Sequence, residues 1–120
     1  TTIWERWNSV LPDGSISGTG MNSLNHYTYG SIVQWMYENM CGLTLCENGF
    51  KTFYVKPEVS ERFDYVDMQY DSPKGMICVK WKKVGDDYSL YVKVPFDREA
   101  IVKVPWKEEE LVLSAGEYVI

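Results

Sequence analysis

The sequence predicts a mainly-β chain with an N-terminal helix: a seven-stranded antiparallel β-sandwich preceded by a loop and one helix. Three observations carry this. From residue 48 onward apolar residues alternate with period two through seven short segments, the pattern of half-buried strands. Turn-forming residues separate those segments. Before residue 46 the pattern is different, with a Gly-, Ser- and Asn-rich stretch and then apolar residues at helical spacing. The chain therefore divides into residues 1–45 and 46–120.

In the first part, residues 8 to 25 hold Gly14, Gly18, Gly20 and Pro12 among several Ser and Asn, which is loop chemistry. A helix is expected from about Tyr27 to Cys41. Ile32, Trp35, Met36, Met40 and Leu43 fall at its spacing, Ser31 supports its start, and Gly42 suits the left-handed position that ends it. Val33 and Tyr37 widen the apolar arc, and Glu38 is its only charge. So wide an arc needs partners on most sides. Self-association of the chain through this helix is one expectation, with Trp35 in a core and the loop from Asn8 to Asn25 mobile or held by a neighbouring chain.

The strand candidates are FKTFYVKP, FDYVDMQYD, GMICVKWKKV, DYSLYVKVP, AIVKVPW, ELVLS and GEYVI. In the third, Ile77, Val79 and Trp81 should face one way and Cys78, Lys80 and Lys82 the other. In the fourth, Tyr88, Leu90, Val92 and Val94 form the apolar row. Ser72-Pro73-Lys74-Gly75 fits a type I turn, and Gly85-Asp86 a tight hairpin. These alternating segments should fold by themselves from about Phe50 to Ile120.

Composition narrows the function. A net charge of -5 argues against nucleic acid, since phosphate binding needs clustered Lys and Arg. No apolar run is long enough for a membrane span, and the residues from Thr1 onward do not have the basic-then-apolar pattern of a leader. Cys41, Cys46 and Cys78 fit neither a disulfide framework nor a zinc site. They read as buried thiols in a reducing, cytoplasmic compartment, although a Cys41–Cys46 bridge stays open. Asp64, Asp67 and Asp71 are spread along a strand, so they form no compact calcium loop. No metal or cofactor is expected.

One short block stands apart. TTIWERW places Glu5 between Trp4 and Trp7, and Asn25-His26-Tyr27 follows at the mouth of the helix. A carboxylate, an imidazole, amides and aromatics thus gather within 27 residues. Aromatic walls and fixed polar groups are what a sugar subsite uses, and loops leading into helices are common places for sites. Between two indoles Glu5 should be partly desolvated.

TTIWERW followed by GMNSLNHYTYGSIVQWMYENMCGL resembles the end of the catalytic domain of bacterial α-L-rhamnosidases, glycoside hydrolase family 78, and the remainder is similar to that family's C-terminal β-sandwich. Asn8 departs from the pattern, where many members carry Asp, as does a shortened segment after Trp106. The resemblance implies that residues 1–45 are the last loop and helix of an (α/α)6 barrel and that the enzyme inverts the anomeric centre. It implies Glu5 as general base and His26 as a hydrogen-bonding partner of bound rhamnose. Trp4, Trp7 and Asn25 join them as substrate-binding candidates. The family's general acid lies several helices earlier, and Thr1 begins inside a motif. The chain is therefore expected to be a C-terminal fragment, inactive alone, whose partners are the N-terminal part of the barrel and a rhamnose-containing glycoside. Two other readings stand beside this one. The sandwich is a non-catalytic module that binds carbohydrate or packs on a catalytic barrel, or the parent is a related barrel hydrolase acting on another sugar.

Overall fold

The computed structural model describes residues 2–120, which divide into two compact units, residues 2–35 and 36–120. In the second unit the alternating segments become eight strands: β1 (Leu43–Leu45), β2 (Thr52–Val55), β3 (Tyr65–Ser72), β4 (Gly75–Val84), β5 (Asp87–Val94), β6 (Glu99–Val102), β7 (Leu111–Leu113) and β8 (Gly116–Val119). They form two four-stranded sheets, ordered β1-β2-β6-β7 and β3-β4-β5-β8. This is the expected β-sandwich with two corrections. The strand added to the seven is β1, at the end of the expected helix. The pairing is also not wholly antiparallel, because β2 and β6 run parallel, with Phe53 opposite Ala100 and Val55 opposite Val102.

The two hairpins follow from their turn residues. Ser72 pairs with Gly75 and Val84 with Asp87, so both loops hold two residues. Gly85 sits at φ +64, a conformation that costs a side-chain-bearing residue. The core faces are those the alternation indicates. Ile77, Val79 and Trp81 of β4 are buried, as are Leu90, Val92 and Val94 of β5. They meet Phe53, Val55, Ala100 and Val102 from the other sheet. Lys82 lies on the solvent side of β4, with Lys80 half-buried beside it.

The expected helix is broken into pieces. Tyr27–Gly30 (α1) and Ile32–Trp35 (α2) are separated at Ser31, and Met36–Met40 forms a π-helical turn. Ser31 does not cap the start. Its hydroxyl donates to the Thr28 carbonyl at 2.8 Å, a back-bond that competes with regular helix. Aromatic, β-branched and glycine residues over 27–35 also give little intrinsic helical preference. None of these helical residues is buried, and Trp35 is half-exposed rather than in a core.

Gly42 ends the helical segment at φ +71, as its sequence position suggests. The close approach goes further, since a Cβ there would lie 2.1 Å from the Lys56 carbonyl carbon. The Trp81 indole donates to the Met40 carbonyl, the Tyr37 hydroxyl to the Gln69 carbonyl and the Glu58 amide to the Asn39 carbonyl. The π-helical turn is thus stitched to the sandwich. All three cysteines are free thiols. Cys41 and Cys78 are buried, but Cys46 is exposed, because β1 is an edge strand that ends beside it.

Candidate functional site

The first unit holds every site residue expected from sequence. Its scaffold is a set of backbone hydrogen bonds between the Thr2–Asn8 segment and the Asn22–His26 segment. The Glu5 amide donates to the Ser23 carbonyl at 2.9 Å and the His26 amide to the Ile3 carbonyl at 2.8 Å. Thr2 Oγ1 donates to the Leu24 carbonyl. These bonds bring Glu5 and His26 side by side although the loop lies between them in sequence.

That loop carries its own set of hydrogen bonds. Ser9 is fully buried, and its carbonyl accepts from the Ser17 amide at 3.0 Å and from Asn22 Nδ2 at 3.3 Å. Asn22 Nδ2 also donates to the Ser17 carbonyl, Val10 bridges Ile16, and Arg6 Nη2 reaches Thr19 Oγ1. At the tip, the Asp13 carboxylate accepts from the hydroxyl and amide of Ser15, which hold its pKa below the ordinary value. Polar side chains stand in for a hydrophobic core here.

Glu5 is held by its surroundings on one oxygen. Oε2 accepts the Ser23 amide at 2.8 Å and lies 4.0 Å from His26 Nδ1. That second separation is too long for a direct hydrogen bond but places the imidazole beside the carboxylate. Oε1 accepts no hydrogen bond among the described residues, and the side chain is 20% exposed. The result is a fixed carboxylate with acceptor capacity to spare, able to take a proton from water or a hydroxyl.

Two hollows adjoin this carboxylate. The larger, about 770 Å³, is lined by Thr2, Ile3, Trp4, Glu5, Arg6, Trp7, Asn8 and Tyr29. The smaller, about 340 Å³, is lined by Ile3, Asn25, His26, Tyr27, Gly30, Ser31 and Gln34. The candidates are therefore split: Glu5, Trp4 and Trp7 line one hollow, His26 and Asn25 the other. Trp7 stands fully in solvent and Trp4 is partly exposed, so the indoles do not enclose Glu5 as expected. Its limited exposure comes from the segment that pairs with it. Glu5 is the only carboxylate lining either hollow among the described residues.

Sequence reasoning missed two contributors. Tyr29 lines the larger hollow, with its ring centroid 5.4 Å from that of His26. Its position three residues after His26, one turn along a helix, was the available signal. Ser23 positions the carboxylate through its backbone amide, which no side-chain pattern reveals.

Comparison with known proteins adds the family. Residues 42–118 match the bacterial alpha-L-rhamnosidase C-terminal domain, and residues 1–40 match the bacterial alpha-L-rhamnosidase 6 hairpin glycosidase domain. This chain belongs to the bacterial α-L-rhamnosidase family. An α-L-rhamnosidase of Alteromonas sp. (strain LOR) is 38% identical over 83% of the chain and 11% of that protein. One of Streptomyces avermitilis is 33% identical over 88% of the chain and 10% of that protein. Among solved structures, the α-L-rhamnosidase of Aspergillus terreus superposes with a TM-score of 0.80 at 34% identity, over 100% of this chain and 14% of that one. The S. avermitilis α-L-rhamnosidase, solved in complex with L-rhamnose, gives 0.77 at 26% identity over 98% of this chain and 13% of that one. The chain thus spans about a tenth of the length of the curated α-L-rhamnosidases it matches.

Proposed function

We propose that this chain is the C-terminal part of an inverting α-L-rhamnosidase that removes terminal α-L-rhamnose from glycosides or polysaccharides. Residues up to about Met40 supply the last loop and helix of an (α/α)6 catalytic barrel, and the chain from β1 onward supplies the sandwich that follows it in sequence. Glu5 is the general base: it takes a proton from water as the water oxygen attacks the anomeric carbon, while the bond from that carbon to the leaving oxygen breaks. His26 and Asn25 hydrogen-bond sugar hydroxyls, and Trp4 and Trp7 face the ring. The leaving oxygen needs a proton from a second carboxyl about 6.5–9.5 Å from the base. That acid comes from the longer protein.

The observation that carries this reading is the anchored Glu5 carboxylate, fixed through one oxygen by the Ser23 amide in a hollow with no second carboxylate among the described residues. The S. avermitilis relative's complex with L-rhamnose supports the choice of sugar. The three free thiols support a reducing, cytoplasmic setting, and no helix among the described residues is long and apolar enough to cross a membrane. For the inner face of the sandwich a packing role is favoured, because Trp81, Tyr70 and Phe53 turn toward a core shared with Tyr37 and Met40.

The test is Glu5→Ala in the full-length enzyme, assayed on p-nitrophenyl α-L-rhamnoside. Loss of a general base should lower kcat by about 10²–10⁴. Azide should partly restore turnover and yield the β-linked rhamnosyl azide, since it attacks the anomeric carbon without needing to lose a proton. Near-normal kcat without azide would remove Glu5 from the mechanism. Wild-type turnover confined to another α-linked sugar would move the enzyme to a different barrel hydrolase.

A further inference from the structure

The outer face of the β3-β4-β5 sheet carries a feature that the proposed hydrolysis does not use. Tyr65 of β3 pairs with Lys82 of β4, which pairs with Ser89 of β5. One row along, Asp67 pairs with Lys80 and Lys80 with Tyr91. Directly paired residues share a face, so all six side chains project to the same side. Between them lies a hollow of about 340 Å³, floored by the strands at Val66 and Trp81.

Three properties set this trough apart from a plain solvated sheet. First, Tyr65 is 70% exposed and Tyr91 half-buried, so the trough carries one aromatic ring on each flank. They sit two strands and two residues apart, about 12 Å between Cα atoms from standard strand spacing. Second, the charges are unequal. Lys80 is paired with Asp67 at 2.9 Å, whereas Lys82 makes no ion pair among the described residues. A single uncompensated ammonium therefore sits in the trough of a chain whose overall charge is -5. Third, the Ser89 hydroxyl and the outer edge of the Lys80–Asp67 pair offer directional donors and acceptors beside the rings. Flat faces for C–H surfaces, hydroxyl-binding groups and one free cation together match a chain of pyranose rings bearing carboxylates.

We propose that this trough is a non-catalytic binding site for an oligosaccharide containing uronic acid residues. One ring rests on Tyr65 and another on Tyr91, and Lys82 takes a carboxylate between them. The separation of the two tyrosines calls for at least two sugar units, so a monosaccharide should bind poorly. The site is independent of Glu5, and its failure would leave the hydrolytic reading untouched.

The 120-residue chain is suited to the experiment. Its ¹⁵N-labelled form is titrated with an oligogalacturonate, with a neutral gluco-oligosaccharide of the same length, and with short polyglutamate. Saturable shifts confined to Tyr65, Asp67, Lys80, Lys82, Ser89 and Tyr91 are expected with the oligogalacturonate alone. Tyr65→Ala and Tyr91→Ala should each weaken binding at least about tenfold, and Lys82→Gln should abolish the preference over the neutral chain. Because Tyr65 and Lys82 are exposed, both variants should keep the wild-type spectrum elsewhere. Equal binding of polyglutamate would mean ion exchange, and equal binding of the neutral chain would mean that Lys82 recognises nothing. Either result overturns the proposal, as does an absence of binding or full affinity in Tyr65→Ala.

Discussion

The indole Nε1 of Trp81 donates to the Met40 carbonyl oxygen at 2.7 Å. Trp81 lies at the centre of the sandwich core, 1% exposed, and Met40 is the last residue of the π-helical turn. One side chain thus both fills the core and satisfies a carbonyl that the end of a helical segment leaves without a partner. Trp81→Phe keeps a ring but loses the donor and part of the volume. It should destabilise the 120-residue chain by about 2–3 kcal/mol, read as a lower urea midpoint with unchanged slope.

Gly42 offers a test of close packing against backbone strain. Its φ of +71 resembles the +64 of Gly85, so an alanine is strained at both. The surroundings differ: a Cβ at Gly42 would strike the Lys56–Pro57 peptide, whereas at Gly85 nothing lies within 4 Å. Gly85→Ala should cost about 1–2 kcal/mol, the left-handed penalty alone. Gly42→Ala should cost at least about 3 kcal/mol, since backbone rather than a flexible side chain must move. Equal effects in denaturant titrations would show that the Lys56–Pro57 segment yields easily.

The thiols predict both a chemical pattern and a pH dependence. Burial pushes Cys41 up to about 11 from an ordinary value of 9.0. Native protein at pH 8 should therefore take up one iodoacetamide per chain, at exposed Cys46, with Cys41 and Cys78 labelled only on unfolding. The sign for stability follows. The unfolded Cys41 loses its proton near pH 9 while the folded one keeps it, so its contribution is complete below pH 9. It is lost as pH rises toward 11. Cys41→Ser should flatten that alkaline decline. Three rapidly labelled thiols by mass spectrometry would contradict the buried positions.

Much of the sandwich was legible because alternation is a local signal. Ile77, Val79 and Trp81 announce their face within five residues, and Gly85-Asp86 announces the hairpin. β1 was hidden because Leu43 continues the helical spacing of Met36 and Met40, and three residues are too few to show alternation. The parallel β2–β6 pair was hidden because it joins segments far apart in sequence, and nothing in either segment records its partner. The break at Ser31 had local signals, the serine hydroxyl and the weak helix formers of residues 27–35, but the apolar spacing masked them. At the site the sequence brought Trp4, Glu5, Trp7, Asn25 and His26 to notice, and the structure places them along two hollows of the first unit. The Ser23 amide on Glu5 and the split into two hollows were not legible, since both arise from backbone geometry.

The isolated chain itself should be inactive. With Glu5 as the only carboxylate lining the two hollows among the described residues, no second carboxyl there can serve as the acid that an inverting pair of carboxylates needs. Release of p-nitrophenol that scales with purified 120-residue protein and disappears in Glu5→Gln would show that a complete acid–base pair is present after all.

His26 separates substrate contact from base chemistry in the full-length enzyme. Its Nδ1 lies 4.0 Å from Glu5 Oε2, and its ring faces the smaller hollow with Asn25. If it binds a sugar hydroxyl, His26→Ala should raise KM and lower kcat/KM by about 10–100-fold, the weight of a hydrogen bond involving a polar or charged partner. Azide should not restore the lost rate, because Glu5 still activates water. If His26 instead serves mainly to orient Glu5, kcat should fall with little change in KM, and azide should rescue it as it does Glu5→Ala. Tyr29→Phe is the control for ring packing. It keeps the aromatic contact 5.4 Å from His26 and should leave both constants within about twofold, well under 1 kcal/mol. Steady-state kinetics on the four proteins, with and without azide, therefore assigns the imidazole to the sugar or to the base.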